Sequence, residues 1–176
     1  MARHVFFSFH FDRDYWRVGQ VRSSWVVSGK REAQPFLDSA GWEKVKNQGN
    51  KAIKNWIDTN LSGKSVTIVL IGNQTHTREW VKYEVDESHR LGKGMLGIFI
   101  NRMKDNKQQS DLYAPNVFDL WTFEQKNPFA SAVWGTVPSS VRRKYSSKYP
   151  VYDWVAQDGR ANINNWIEAA AKAAGR

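Results

Sequence analysis

Trp80 and Glu84 stand four residues apart in REWVKYEV, residues 78–85, a spacing that puts an indole and a carboxyl on one face of a helix. Val81, Val85 and Ser88 recur at intervals of three and four with them, so that face is the inward one. A carboxylate on a buried face is costly unless it is paired, protonated or open to a cleft. Two readings follow. Either Glu84 marks the edge of the apolar stripe and bonds to backbone or an arginine, or it is a site carboxylate seated beside an aromatic ring. Lys82, Asp86, Arg90 and Arg78 take the outer face, where Lys82 and Asp86 can pair.

The surrounding pattern says what holds this helix. Residues 66–71 are an apolar, β-branched run closed by Gly72 and Asn73, which predicts a strand buried on both faces. Thr75 or Thr77 is placed to cap the helix, which runs to about Leu91 before Gly92. HVFFSF at 4–9 predicts a first strand, with Ser8, Phe9 and His10 at its C-terminal end. Asp12 or Asp14 can cap a helix over 15–26; residues 27–39 read as loop, and a longer helix covers 41–60. GMLGIFI at 94–100 predicts a third buried strand, followed by a polar loop over 101–110. Residues 111–149 read as an irregular, proline-marked excursion with a short helix at 139–145. A short strand at 151–155 and a last helix, capped by Asp158 or Asn162 and running to Ala174, complete the chain.

Strands alternating with helices predict an α/β fold, a parallel sheet with helices on both faces. Ligands of such sheets sit outside the carboxyl ends of the strands. One cleft is therefore expected to collect Phe9, His10, Asn73, Trp80 and Glu84.

At 176 residues the chain suits a single domain over 1–176, with an irregular elaboration at about 101–150. An apolar content of 41% with nine tryptophans argues for an ordered globule. The absence of cysteine excludes disulfides, thiolate zinc sites and thiol nucleophiles. His4, His10, His76 and His89 show no metal-ligand spacing, so no metal site is expected. No apolar run approaches a membrane span and the basic N-terminus has no signal-peptide core, so a soluble cytoplasmic protein is expected. A net charge of +9 admits an anionic partner, whether nucleic acid, nucleotide or an acidic protein face. Only Arg142, Arg143 and Lys144 form a dense cluster, and no nucleic-acid-binding motif is present.

There is no Walker loop, no GxGxxG after a strand and no GxSxG elbow. Ser8 reads as a hydroxyl bonded to loop backbone rather than as a nucleophile. One carboxylate beside aromatic rings does suit cleavage of the nicotinamide–ribose bond of NAD. The leaving group already carries positive charge, so no general acid is needed, and the transition state resembles an oxocarbenium ion. A single carboxylate can stabilise that cation while aromatics stack and exclude water.

Several segments occur in register with a known family: VFFSFH at 5–10, RVxxVRxxW at 17–25, SVTIVLIGNQT at 65–75, REWVKYEV at 78–85, GIFIN at 97–101 and PNVFD at 115–119. The chain in this region resembles the TIR-like, ThsB-like proteins of bacterial Thoeris anti-phage defence. That resemblance implies a flavodoxin-like fold. It also implies an enzyme that takes NAD as substrate, with no cofactor, releases nicotinamide and makes a cyclic ADP-ribose isomer that activates a partner effector protein. The family's catalytic glutamate lies in a W-x-x-x-E segment, matched here by Trp80 and Glu84, and Ser8, Phe9 and His10 match its pocket-lining strand end. The family's usual second strand has no clear counterpart before Gly41, which bears on the sheet edge and on self-association. Two other classes stay open at this level: a TIR-like assembly module without turnover, and a nucleic-acid-binding protein using the basic surface.

Overall fold

The computed structural model describes residues 3–27, 39–127 and 139–176. Four strands, β1 (Val5–Ser8), β2 (Val66–Ile71), β3 (Gly94–Phe99) and β6 (Val151–Asp153), form a parallel sheet in the order β1-β2-β3-β6. The helices are α1 (Phe11–Val27), α2 (Ser39–Lys46), α3 (Asn50–Leu61), α4 (Glu79–Arg90), α5 (Val117–Leu120) and α6 (Gly159–Ala173). A separate antiparallel pair, β4 (Thr122–Lys126) and β5 (Ser140–Lys144), precedes β6.

The period-two alternation of the central strands sorts side chains onto two faces. Val66, Ile68, Leu70, Leu96 and Ile98 pack with Val18 and Val21 of α1 and with Ile163 and Ile167 of α6. The opposite-facing Val69, Ile71 and Met95 meet Val81 and Val85 of α4. Phe6 joins Ile53, Ile57 and Leu61 of α3, with Trp80 and Tyr83 packed against that group. Each such fully buried aliphatic side chain contributes on the order of 1.5–3 kcal/mol. Helices therefore cover both faces, as the flavodoxin-like expectation has it. Helices α1 and α3 lie on opposite faces of β1, which forms the outer edge of the sheet. Among the described residues no strand pairs with that edge.

Several local expectations are corrected. The helix expected over 41–60 is two helices, broken where Gly49 takes φ 87°, a left-handed conformation that glycine adopts without strain. Helix α1 starts at Phe11, because the Asp14 N–H already donates to the His10 carbonyl at 3.0 Å. Asp12 and Asp14 thus sit in its first turn, where the helix dipole favours them, rather than at its cap. The short helix expected at 139–145 is strand β5, since Val141, Arg142, Arg143 and Lys144 offer no helical apolar face. Instead Arg142 lies opposite Glu124, an opposite-charge cross-strand pair. Helix α6 begins as expected, with the Asp158 side chain accepting from the Ala161 N–H. The expected loop between α1 and α2, at 28–38, and part of the excursion, 128–138, lie outside the described residues. None of the described helices is long and apolar enough to cross a membrane.

Buried Arg17 ties α1 to the loop after β3. Its guanidinium donates to the Met103 carbonyl at 2.9 Å, the Gln109 carbonyl at 3.2 Å and the Asp14 carboxylate at 3.2 Å. One turn earlier Arg13 forms a two-pronged bond to Asp111, at 2.9 and 2.7 Å.

Gly94 sets how closely α6 approaches the sheet: a β-carbon there would lie 2.5 Å from the Ala170 carbonyl oxygen. Gly94→Ala is expected to push α6 outward and cost about 1–3 kcal/mol, as overpacking does. Denaturant unfolding monitored by circular dichroism reads this directly; an unchanged midpoint would mean that α6 moves away freely.

Candidate active site

Glu84 lies one and a half turns into α4, among Val81, Val85 and Ser88, and is only 7% exposed. The helix enters this position without the expected cap. Thr75 accepts from the Gly72 N–H at 2.9 Å and donates to the Leu70 carbonyl, while Thr77 donates to the Gln74 carbonyl at 2.8 Å. A short 3-10 turn, Thr75–Thr77, therefore comes first, and Arg78 becomes the N-cap with no side-chain capping bond. On the outer face Lys82 pairs with Asp86 at 2.6 Å, as the spacing predicts.

Across from Glu84, the last residue of β1 points the same way as Phe6. The Ser8 hydroxyl donates to the Glu84 carboxyl group, so Ser8 bonds to the candidate site residue rather than to loop backbone. Burial pushes the Glu84 carboxyl up to about 8, and the Ser8 bond pulls weakly in the opposite direction. At neutral pH the resting carboxyl is mostly protonated, which is how an ionisable group tolerates an apolar setting.

Glu84 opens onto a cavity of about 440 Å³. Phe6 reaches it from one face of β1, and Phe7 and Phe9 from the other, so the cavity wraps around the strand's outer edge. Asp12 and Arg22 both line it. They lie ten residues apart on α1, so at the helical rise of about 1.5 Å per residue the lining spans about 15 Å of that helix. Ile53, Trp56 and Asn60 of α3 and Trp80 of α4 supply the facing wall. Phe9 stacks on Phe11 with ring centres 5.8 Å apart, and Trp80 meets Tyr83 edge-on at 6.0 Å. The Tyr83 hydroxyl donates to Asp58 at 2.6 Å, fixing α4 against α3. His10 is buried at the mouth; desolvation, and then the charge of Arg78, hold it below the ordinary histidine value, so it is neutral at pH 7.

Of the residues picked out from sequence, Phe9, His10, Trp80 and Glu84 line this cavity, and Ser8 reaches it through Glu84. Asn73 is turned elsewhere: its amide donates to the Tyr113 carbonyl at 2.6 Å, and it is not among the lining residues. Asn101, at the end of β3, binds the Leu112 carbonyl at 3.1 Å in the same manner. Sequence reasoning missed Phe6, Phe7, Phe11, Lys46, Ile53 and Trp56. The aromatic density of 5–11 was a usable signal for the first three; the α2 and α3 residues arrive from over the strand edge, with no local signal. A second perturbed carboxyl, Asp14, is pushed up to about 6 by burial, partly offset by Arg17, and stands against Gly72 outside the cavity lining.

A parallel sheet with helices on both faces, and a buried carboxyl on the helix after β2 facing the C-terminal end of β1, is consistent with the flavodoxin-like fold of TIR-like domains. Residues 6–105 match the family described as "Thoeris protein ThsB, TIR-like domain". The chain is also 37% identical to a Bacillus cereus (strain MSX-D12) protein named "Putative cyclic ADP-D-ribose synthase ThsB1", over 191 aligned positions spanning 95% of this chain and 100% of the relative. The chain belongs to the Thoeris ThsB TIR-like family.

The raised value of Glu84 makes stability depend on pH. Its contribution is full below the ordinary carboxylate value of 4.5 and is lost as pH rises through about 8. Glu84→Gln removes that dependence, so the variant is expected to gain on the order of a few kcal/mol relative to the parent between pH 5 and 9. Denaturant unfolding at both pH values measures the difference; parallel pH slopes would place the ionisation elsewhere.

Proposed function

We propose that this protein cleaves the nicotinamide–ribose bond of NAD and closes the remaining ADP-ribose into a cyclic isomer, a nucleotide signal for an effector protein in anti-phage defence. The observation that carries the reading is Glu84: a buried carboxyl, bonded to Ser8, in the wall of an elongated cavity lined by aromatic rings. The relative's name points the same way.

The chemistry follows from where the charge goes. Breaking the C1′–N bond sends its electron pair onto the pyridinium nitrogen, which leaves as neutral nicotinamide. Positive charge then builds on the ribosyl carbon and ring oxygen. An ionised Glu84 stabilises that charge at close range in a dry setting, where its effect is largest. The resting carboxyl is protonated, but the incoming pyridinium is itself a cation and favours the ionised form. Substrate binding thus arms the carboxylate, and the Ser8 hydroxyl holds it in place. Phe9, Phe11 and Trp80 offer flat faces to the leaving ring and keep water away. With water excluded, a nucleophile of the folded-back adenosine half forms the new bond to C1′ and loses its proton.

Glu84→Gln is expected to lower nicotinamide release by at least about 10²-fold, the scale of losing one aimed electrostatic group, and retention of most activity would remove the assignment. The parent's kcat/KM is expected to rise with pH through an apparent value near 8. Ser8→Ala moves that rising limb to higher pH, because the bond it deletes favours the ionised form. Chromatography of products from NAD across pH 6–9 tests both.

One feature favours the rival reading of an assembly module without turnover. Leu112 and Tyr113 are 77% and 78% exposed although Asn101 and Asn73 clamp their backbone. Incubation with NAD separates the two, since a module of that kind releases no nicotinamide.

A further inference from the structure

The cavity carries two cations that the cleavage chemistry does not use. Arg78 and Lys46 both line it. Arg78 is close enough to act on His10 electrostatically, and Lys46 Nζ lies 3.9 Å from Asp12, so both cations stand at the C-terminal end of β1. Arg78, the N-cap residue of α4, precedes Glu84 by six residues, so the backbone positions of the two lie roughly 9 Å apart along the helix axis. The reach from the anomeric carbon across a ribose to its 5′-pyrophosphate is of that order.

We infer that Arg78 and Lys46 form the clamp for the pyrophosphate of the dinucleotide, resting on the NAD-cleaving reading and naming the part of the substrate that sets its register. The guanidinium of Arg78 has no carboxylate partner among the described residues and presents a planar fork suited to phosphate oxygens. Lys46 is paired with Glu43 at 3.0 Å and more distantly with Asp12, but both acids are 55% exposed. Pairs in that setting are worth little, and a doubly charged pyrophosphate displaces them. Asp12 and Glu79 also face this end, so the two cations are what keep an anion from being repelled. With the pyrophosphate held there, the nicotinamide ribose falls against Glu84 and the adenosine half extends along Trp56 and Asn60 of α3. Register is thereby set by charge at the mouth and reactivity by the carboxyl below it.

The test measures ADP-ribose binding by titration calorimetry to Glu84→Gln protein, so that turnover plays no part. Adding Arg78→Gln and Lys46→Gln together is expected to weaken binding by tenfold or more and to flatten its dependence on salt, with the melting temperature unchanged. Arg78→Lys alone, which keeps the charge and loses the fork, is expected to keep the salt dependence while losing part of the affinity. Adenosine, which lacks the pyrophosphate, is expected to bind the two proteins alike. Undiminished ADP-ribose binding, an unchanged salt slope or equal weakening of adenosine would each overturn the clamp. Nicotinamide release by the parent protein is scored separately, so loss of the clamp and loss of the NAD reading are told apart.

Discussion

Keeping one carboxyl group out of water is the constraint around which this molecule is arranged. Glu84 occupies a position on α4 that the helix's own periodicity assigns to the interior, beside Val81 and Val85. A neutral carboxyl with one hydroxyl partner can live there; a carboxylate is held only at a cost, and that cost makes it responsive to an arriving cation. The supporting parts follow from this requirement. Ser8 ends the first strand so that a hydroxyl, not a methyl, faces the acid. Phenylalanines on both sides of β1 keep the surroundings apolar, and the Tyr83–Asp58 bond stops α4 from tilting away from α3. In the proposed reading, stability and reactivity draw on the same desolvation, in opposite directions.

Much of the central architecture was legible because it rests on local pattern. The apolar run of β2 is buried at every position, and β3 starts at Gly94, where the pattern puts it. The stripe on α4 placed Glu84 on the inner face and Lys82 opposite Asp86 on the outer one. What escaped depends on contacts distant in sequence. Nothing around Ser8 announces Glu84 as its partner, since 76 residues separate them. Nor does Asn73 advertise that its amide turns to the backbone of Tyr113 instead of to a cleft. The break at Gly49 is a matter of backbone sign, and an isolated glycine inside a helical pattern does not reveal it. Strand β5 has a sequence suited to solvent rather than to either regular element, and pairing with β4 decides its form.

The edge of β1 explains why the cavity lies where it does. A parallel sheet usually has both faces covered, and its ligands gather beyond the strand ends. Here the pocket also runs down the side of the outermost strand, because α1 and α3 cover opposite faces and leave a slot between them. That explains a lining drawn from β1, α1, α2, α3 and α4 together, and a shape long and narrow rather than round.

The buried guanidinium of Arg17 makes the two sides of that slot mechanically unequal. It donates to the Met103 and Gln109 carbonyls, and its neighbour Arg13 binds Asp111, so α1 is tied at three points to the segment after β3. The α2–α3 side has a glycine joint at Gly49 and surface-exposed ion pairs. The wall bearing α1 is thus cross-braced by buried charge, whereas the α3 wall is seated by its apolar face and by the Tyr83–Asp58 bond.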